Sequence, residues 1–124
     1  MNKFHILKIY KINILVSIFL LCISCAELSD IHIENTIMFE SRIYKKDENL
    51  PFSGYVYNLY SNGQLEYKGK YKDGKPNGNL IYWHDNGQKM REGKLIDGVP
   101  VGRWDYFNSD GSHEKTIMYW KWKE

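Results

Sequence analysis

The sequence predicts an all-β fold: a single-layer, twisted antiparallel meander of stacked β-hairpins with a period of 24 residues. Three observations predict it. Gly54, Gly78 and Gly102 are spaced 24 apart, as are Gly63, Gly87 and Gly111, and again Gly74 and Gly98. Asn62, Asn86 and Asp110 precede the second set and Asp73 and Asp97 the third, so every repeat carries at least one of the Asx-Gly pairs that favour hairpin turns. The 124 residues include 10 tyrosines and 10 glycines, which favours strands and turns over helices. Repeats of 20 to 50 residues indicate stacked supersecondary units.

The N-terminus has a different texture. Lys3, Lys8 and Lys11 make a positive flank, followed by the apolar run Ile14–Ile23. That run suits a signal-peptide core and falls short of the ~18–20 residues a membrane span needs. Ser24 then places a small residue before Cys25, after which the chain turns polar. Residues 1–24 resemble a bacterial lipoprotein signal. The resemblance implies cleavage between Ser24 and Cys25 and a diacylglycerol on the Cys25 thiol. Ile23 and Ser24 match that family's preferences, whereas Cys22 stands where Leu is usual. An ordinary cleaved signal and an uncleaved anchor are the competing readings.

This reading changes the charge argument. The whole chain has 17 basic and 15 acidic residues, for a net +2. Removing the signal takes three lysines and no acid, leaving 14 against 15, or −1. A nearly neutral mature chain is a poor candidate for nucleic acid binding through a general electrostatic field. Cys22 leaves with the signal and a lipidated Cys25 has no free thiol, so no intrachain disulfide is expected. Two cysteines alone make no zinc site, and no metal or other cofactor is expected.

Beyond the signal, residues 25–35 read as a polar tether, with Ile31-His32-Ile33 as a short first strand the alternative. The domain proper is expected over 36–124. Residues 36–44 read as strand, being rich in β-branched and aromatic side chains, and Lys45–Asn49 as a charged loop. Repeats follow at about 51–75, 76–99 and 100–122. Pro76 and Pro100 stand two residues before a repeat glycine and Pro51 three before, so the first junction carries one extra residue.

If Asn62-Gly63 and its equivalents form two-residue type I′ turns, Val56 faces Gly69, Leu80 faces Gly93 and Trp104 faces Ile117. Alternation at period two then adds Tyr67, Tyr71, Tyr82, Leu95, Tyr106 and Tyr119 to the same face, the predicted core. Gly69 and Gly93 should each seat a ring from an adjacent strand.

On the other face Leu59, Trp83 and Phe107 occupy equivalent positions among charged residues. They form either a stripe marking a partner surface or a patch packed under the N-terminal strand or tether. The last unit has Ile117 and Trp122 where earlier units have glycine. Trp120 and Trp122 are read as a cap over the sheet end, with a homodimer edge as the alternative.

The segment Tyr67-Lys68-Gly69-Lys70-Tyr71-Lys72-Asp73-Gly74-Lys75-Pro76-Asn77-Gly78 resembles the MORN repeat, with its aromatic-x-Gly-x-aromatic-x-Asp-Gly-x-x-x-Gly pattern. Asn-Gly-Gln at 62–64 and 86–88 is closer to bacterial MORN-variant proteins, many of which are labelled antitoxins of toxin–antitoxin systems. The resemblance spans residues 51 to about 119. It implies a β-hairpin scaffold used for lipid contact, dimerisation or protein recognition, and brings no catalytic residues. The chain departs from the pattern at Leu95-Ile96, at Arg91 in place of Tyr67, and at the missing glycines of the last unit.

Catalytic signals are sparse. His32, His84 and His113 are far apart, without metalloprotease spacing, and there is no nucleophile elbow or phosphate-cradling loop. His84-Asp85 and His113-Glu114 read as solvated strand ends. Lys68, Lys70 and Lys72 share a strand face with Glu66, and read as solvated or as a weak basic stripe aiding contact with an anionic membrane. The expected function is therefore non-enzymatic. A lipoprotein of the bacterial cell envelope, membrane-anchored and facing periplasm or exterior, would bind a protein or envelope component. The alternative is an antitoxin or immunity-type protein that neutralises a toxin.

Overall fold

A computed structural model describes residues 29–120. Ser24 and Cys25 lie outside the described residues, as do Lys121 to Glu124 with Trp122 among them. The strands are β1 (Asp30–His32), β2 (Thr36–Phe39), β3 (Arg42–Lys45), β4 (Gly54–Leu59), β5 (Leu65–Lys72), β6 (Lys75–Trp83), β7 (Lys89–Ile96), β8 (Val99–Phe107) and β9 (His113–Tyr119). A short 3₁₀ turn, Ile33–Asn35, joins β1 to β2. The fold is all-β, with no α-helix among the described residues.

Seven strands form one sheet in the order β1-β4-β5-β6-β7-β8-β9, and β2 and β3 pair separately. From β4 to β9 each strand pairs antiparallel with the next, because connections of a few residues can only reverse the chain beside itself. β1 pairs in parallel with β4, setting Ile31 opposite Val56. Residues 30–32 are therefore strand and not tether. Ile31 is 7% exposed and joins Ile43, Phe52 and Val56 in a buried cluster.

Residues 36–44 are not one strand. They fold as the hairpin β2–β3, turning at Glu40 and Ser41, both with positive φ. Neither residue is glycine or asparagine, so the turn carries no sequence signal. The hairpin is fastened to the first repeat by Ile43 N–H donating to the Gly74 carbonyl (2.9 Å) and Phe52 N–H donating to the Ile43 carbonyl (2.9 Å).

The turns also differ from expectation. Asp73-Gly74 and Asp97-Gly98 have positive φ at both residues, as a type I′ turn requires. At Asn62-Gly63, Asn86-Gly87 and Asp110-Gly111 only the glycine does. There the loop has three residues. Tyr60 N–H donates to the Gln64 carbonyl (2.8 Å), Gly63 N–H donates to the Tyr60 carbonyl (2.9 Å), and Gly63 sits at φ 84°. This is a turn closed by a glycine bulge.

The longer loop shifts the register by one, and a second irregularity shifts it back. Leu59 pairs with Leu65 but Asn58 with Tyr67, so Glu66 is an unpaired extra residue. Met90 and Glu114 are skipped in the same way. Val56 therefore does face Gly69, Leu80 does face Gly93 and Trp104 does face Ile117.

The predicted face is the core. Leu80, Leu95 and Trp104 are buried, packed by Tyr67, Tyr82, Tyr106 and Tyr119. Tyr71 joins the first cluster, and Tyr67 touches both. Tyr67 and Tyr82 have ring centroids 5.5 Å apart, and Trp104 and Tyr119 meet edge-on at 6.1 Å. Such pairs contribute about 0.5–1.5 kcal/mol each beyond area burial. The Trp104 indole N–H donates to the Lys94 carbonyl (3.2 Å), which satisfies its polar atom in the core. Trp104 covers Gly93 as expected, but Gly69 is covered by Leu80, an aliphatic side chain.

Candidate functional site

Leu59, Trp83 and Phe107 are the last residues of β4, β6 and β8. Each lies three positions after a core residue (Val56, Leu80, Trp104), so strand alternation turns it to the opposite face. Their cross-strand partners are Leu65, Lys89 and His113. Leu59 is 39% exposed and Leu65 37%, while Trp83 and Phe107 are half-buried. Phe107 stacks edge-on against His113 at 5.7 Å, and Lys89 bonds Glu92 at 2.8 Å. The row is thus apolar at the first repeat and increasingly polar toward the last.

Among the described residues the N-terminal elements are fastened elsewhere on the sheet. β1 lies along β4 beside Tyr55–Tyr57, and the β2–β3 hairpin attaches to the Asp73-Gly74 turn at the other end of the strands.

The rim that carries these residues is cross-linked from one repeat to the next. The Tyr60 hydroxyl donates to the Trp83 carbonyl (2.7 Å), and His84 Nε2 bonds the Phe107 carbonyl at 3.0 Å. A carbonyl only accepts, so Nε2 carries the proton here. Asn62 Nδ2 donates to the Asp85 carbonyl (2.8 Å) and Asn86 Nδ2 to the Ser109 carbonyl (2.6 Å). The Oδ1 atoms of both asparagines accept the amides of Gln64 and Gln88 (3.0 Å each). Each asparagine therefore braces its own turn and ties it to the next. Burial, with Glu66 and Asp85 nearby, pushes the Tyr60 hydroxyl pKa up and keeps it a donor.

Sequence reasoning missed this ladder. Its signal was present: Tyr60 and His84 are 24 apart, as are Asn62 and Asn86. His84 is accordingly a bracing residue and not a solvated strand end.

On the same face as the row, Asp105 gathers Arg103 (3.0 and 2.8 Å), Thr116 (2.5 Å) and His113 (3.4 Å). These partners, the Arg103 hydrogen bond first and Thr116 next, hold its carboxyl down at about 2. Lys68 is taken up by Asp30 at 2.6 Å and lies over the Tyr55 ring, which removes it from any free basic stripe. Across the core face, Arg91 lies 4.1 Å from the centre of the Tyr82 ring.

Gly63, Gly87 and Gly111, and Gly74 and Gly98, all sit at positive φ, as turn glycines should. Trp120, one of the two predicted cap residues, is 77% exposed, and Trp122 lies outside the described residues. His32 and His113 bond to residues two and three positions away, while His84 reaches across to the next repeat at Phe107, so the three do not converge. Among the described residues no three of His, Cys, Asp and Glu gather as metal ligands, and no helix is long and apolar enough to cross a membrane. No family model, curated protein or solved structure matches the chain.

Proposed function

We propose that the chain is a lipid-anchored, MORN-type repeat module of the bacterial envelope, non-enzymatic, that recognises a protein or envelope component through the face bearing Leu59, Trp83 and Phe107. The observation that carries this reading is the apolar row, exposed at Leu59 and half-buried at Trp83 and Phe107, on a rim braced repeat to repeat by Tyr60, His84, Asn62 and Asn86. A partner meeting such a rim orders few side chains on binding, so little affinity is lost to conformational entropy. The 24-residue recurrence of turn and bulge supports the MORN-type assignment. The run before Cys25 supports anchoring.

The test is crosslinking and pull-down of the tagged, processed protein from envelope fractions, beside a Leu59→Ser/Trp83→Ser variant. Recovery of a partner by the native protein and its loss in a still-folded variant is the expected result. Equal recovery by both would remove the row from the recognition surface. Capture of a toxic protein would support the antitoxin reading that the family resemblance implies, and self-capture would support a homodimer.

A further inference from the structure

The strongest unassigned feature is the β2–β3 hairpin, which the repeats do not account for. Ile37, Met38 and Phe39 are consecutive on β2 and are 50%, 77% and 61% exposed. Leu50, in the loop after β3, is 77% exposed. An antiparallel strand over a core normally hides every second residue, whereas this edge strand presents three apolar side chains in a row to its surroundings. Such a run needs a cover.

Topology says where that cover lies. β1 is parallel to β4, so the chain enters the described structure beside the start of β4, where the Ser29 carbonyl accepts the Tyr55 N–H (3.0 Å). Gly54 pairs there with Tyr71, two residues before the Asp73-Gly74 turn. The hairpin is fastened to that same turn, through Ile43 N–H to the Gly74 carbonyl (2.9 Å) and Arg42 to the Asp73 carbonyl (2.7 Å). Four backbone steps separate Cys25 from Ser29, and they reach at most about 14 Å. A lipid on Cys25 therefore holds this end of the sheet against the bilayer and leaves the Asn-Gly turns at the far end.

We propose that the hairpin docks on the leaflet that holds the Cys25 lipid, seating Ile37, Met38 and Phe39 in the boundary between headgroups and acyl chains. The inference rests on the lipoprotein reading and adds a second, non-covalent contact to it. The diacylglycerol holds the chain at the membrane, and apolar side chains at the interface add buried area to that anchor. Docking also fixes orientation, turning the Tyr60–His84 rim away from the membrane and toward partners.

The test uses the full chain, expressed and processed in bacteria, with Met38→Cys carrying an environment-sensitive fluorophore. The mature chain has no other free thiol once Cys22 is removed and Cys25 is acylated. A Ser109→Cys label, at the far end, is the control. Both are reconstituted in vesicles of phosphatidylethanolamine and phosphatidylglycerol, with nitroxide-labelled lipid placed at a depth of about 5–10 Å, the zone interfacial apolar side chains reach. Intact mass of the N-terminal fragment is read in parallel.

The expected result is a blue-shifted, nitroxide-quenched label at position 38 and a water-like, unquenched label at 109. A water-like label at 38 in protein whose acyl mass is present overturns docking and leaves anchoring intact. A blue shift that nitroxide lipid does not quench, and that fades on dilution, means a second copy covers the hairpin and overturns the proposal. Absence of the acyl mass overturns anchoring and docking together.

Discussion

The indole of Trp104 lies directly over the bare Cα of Gly93, so a Cβ built on Gly93 would fall within the ring. The two residues are on adjacent strands, β7 and β8, and the ring fills the space the missing side chain leaves.

That relationship predicts a change of sign. Gly93→Ala should lower the unfolding free energy by about 1–3 kcal/mol, the usual cost of overpacking. Trp104→Ala alone should cost about 3–5 kcal/mol. In the Trp104→Ala background the same methyl has room, and Gly93 has no positive φ to protect. Replacing a strand glycine by alanine should there stabilise by about 0.5–1 kcal/mol. Urea denaturation of the four proteins checks the cycle, and additive effects would contradict the packing.

The asparagine ladder predicts a cost for losing a donor while keeping an acceptor. Asn86→Asp retains the oxygen that takes the Gln88 amide but loses the N–H that reaches the Ser109 carbonyl. Destabilisation of about 0.5–1.5 kcal/mol is expected, the net worth of one hydrogen bond. Asn62→Asp should behave alike. Urea midpoints measure both, and unchanged midpoints would mean the ties between turns carry no stability.

Two turn glycines should differ in sensitivity although both have positive φ. Gly63 sits at φ 84° with nothing within 4 Å of an added Cβ, so Gly63→Ala should cost only the left-handed penalty of about 1–2 kcal/mol. At Gly74 the Cβ would come within 2.8 Å of Arg42 Cβ and of the Ile43 carbonyl oxygen. Gly74→Ala should therefore add an overpacking cost of about 1–3 kcal/mol and loosen the hairpin. Hydrogen exchange at the Ile43 amide, which donates to Gly74, reads the loosening.

Asp105 predicts a pH dependence. Its carboxyl is held at about 2, below the ordinary 3.8, chiefly by Arg103 and then Thr116. A depressed folded-state pKa contributes stability that is fully present above the unfolded value and is lost as pH falls toward the folded one. Stability should therefore decline between 3.8 and about 2 from this group. Asp105→Asn should flatten that part of the curve in a thermal-melt series while leaving the profile above it unchanged in shape.

The period of 24, the strand positions within the repeats and the identity of the core face were legible from the sequence, because turn glycines and alternating side chains are local signals. Val56–Gly69 and its equivalents were placed correctly through a turn type that is not the one present. A three-residue loop and the extra residue Glu66 shift the register in opposite senses, and only their sum is visible in a sequence period. For the candidate site, Leu59, Trp83 and Phe107 could be aligned by counting, and so could Tyr60 with His84. What those last two side chains reach depends on strand spacing and twist, which no count of residues contains.

The sequence by itself determined where the chain turns and which side chains share a face, because glycine conformational freedom and period-two alternation act over a few residues. Only the tertiary structure decided that residues 30–32 add a parallel strand beside β4 and that 36–45 fold as a hairpin on the Asp73-Gly74 turn. It also decided that Leu80, not a ring, covers Gly69. These are contacts between segments distant along the chain. Their partners are selected by shape and by unpaired backbone groups at the sheet edge, and neither is written in local composition.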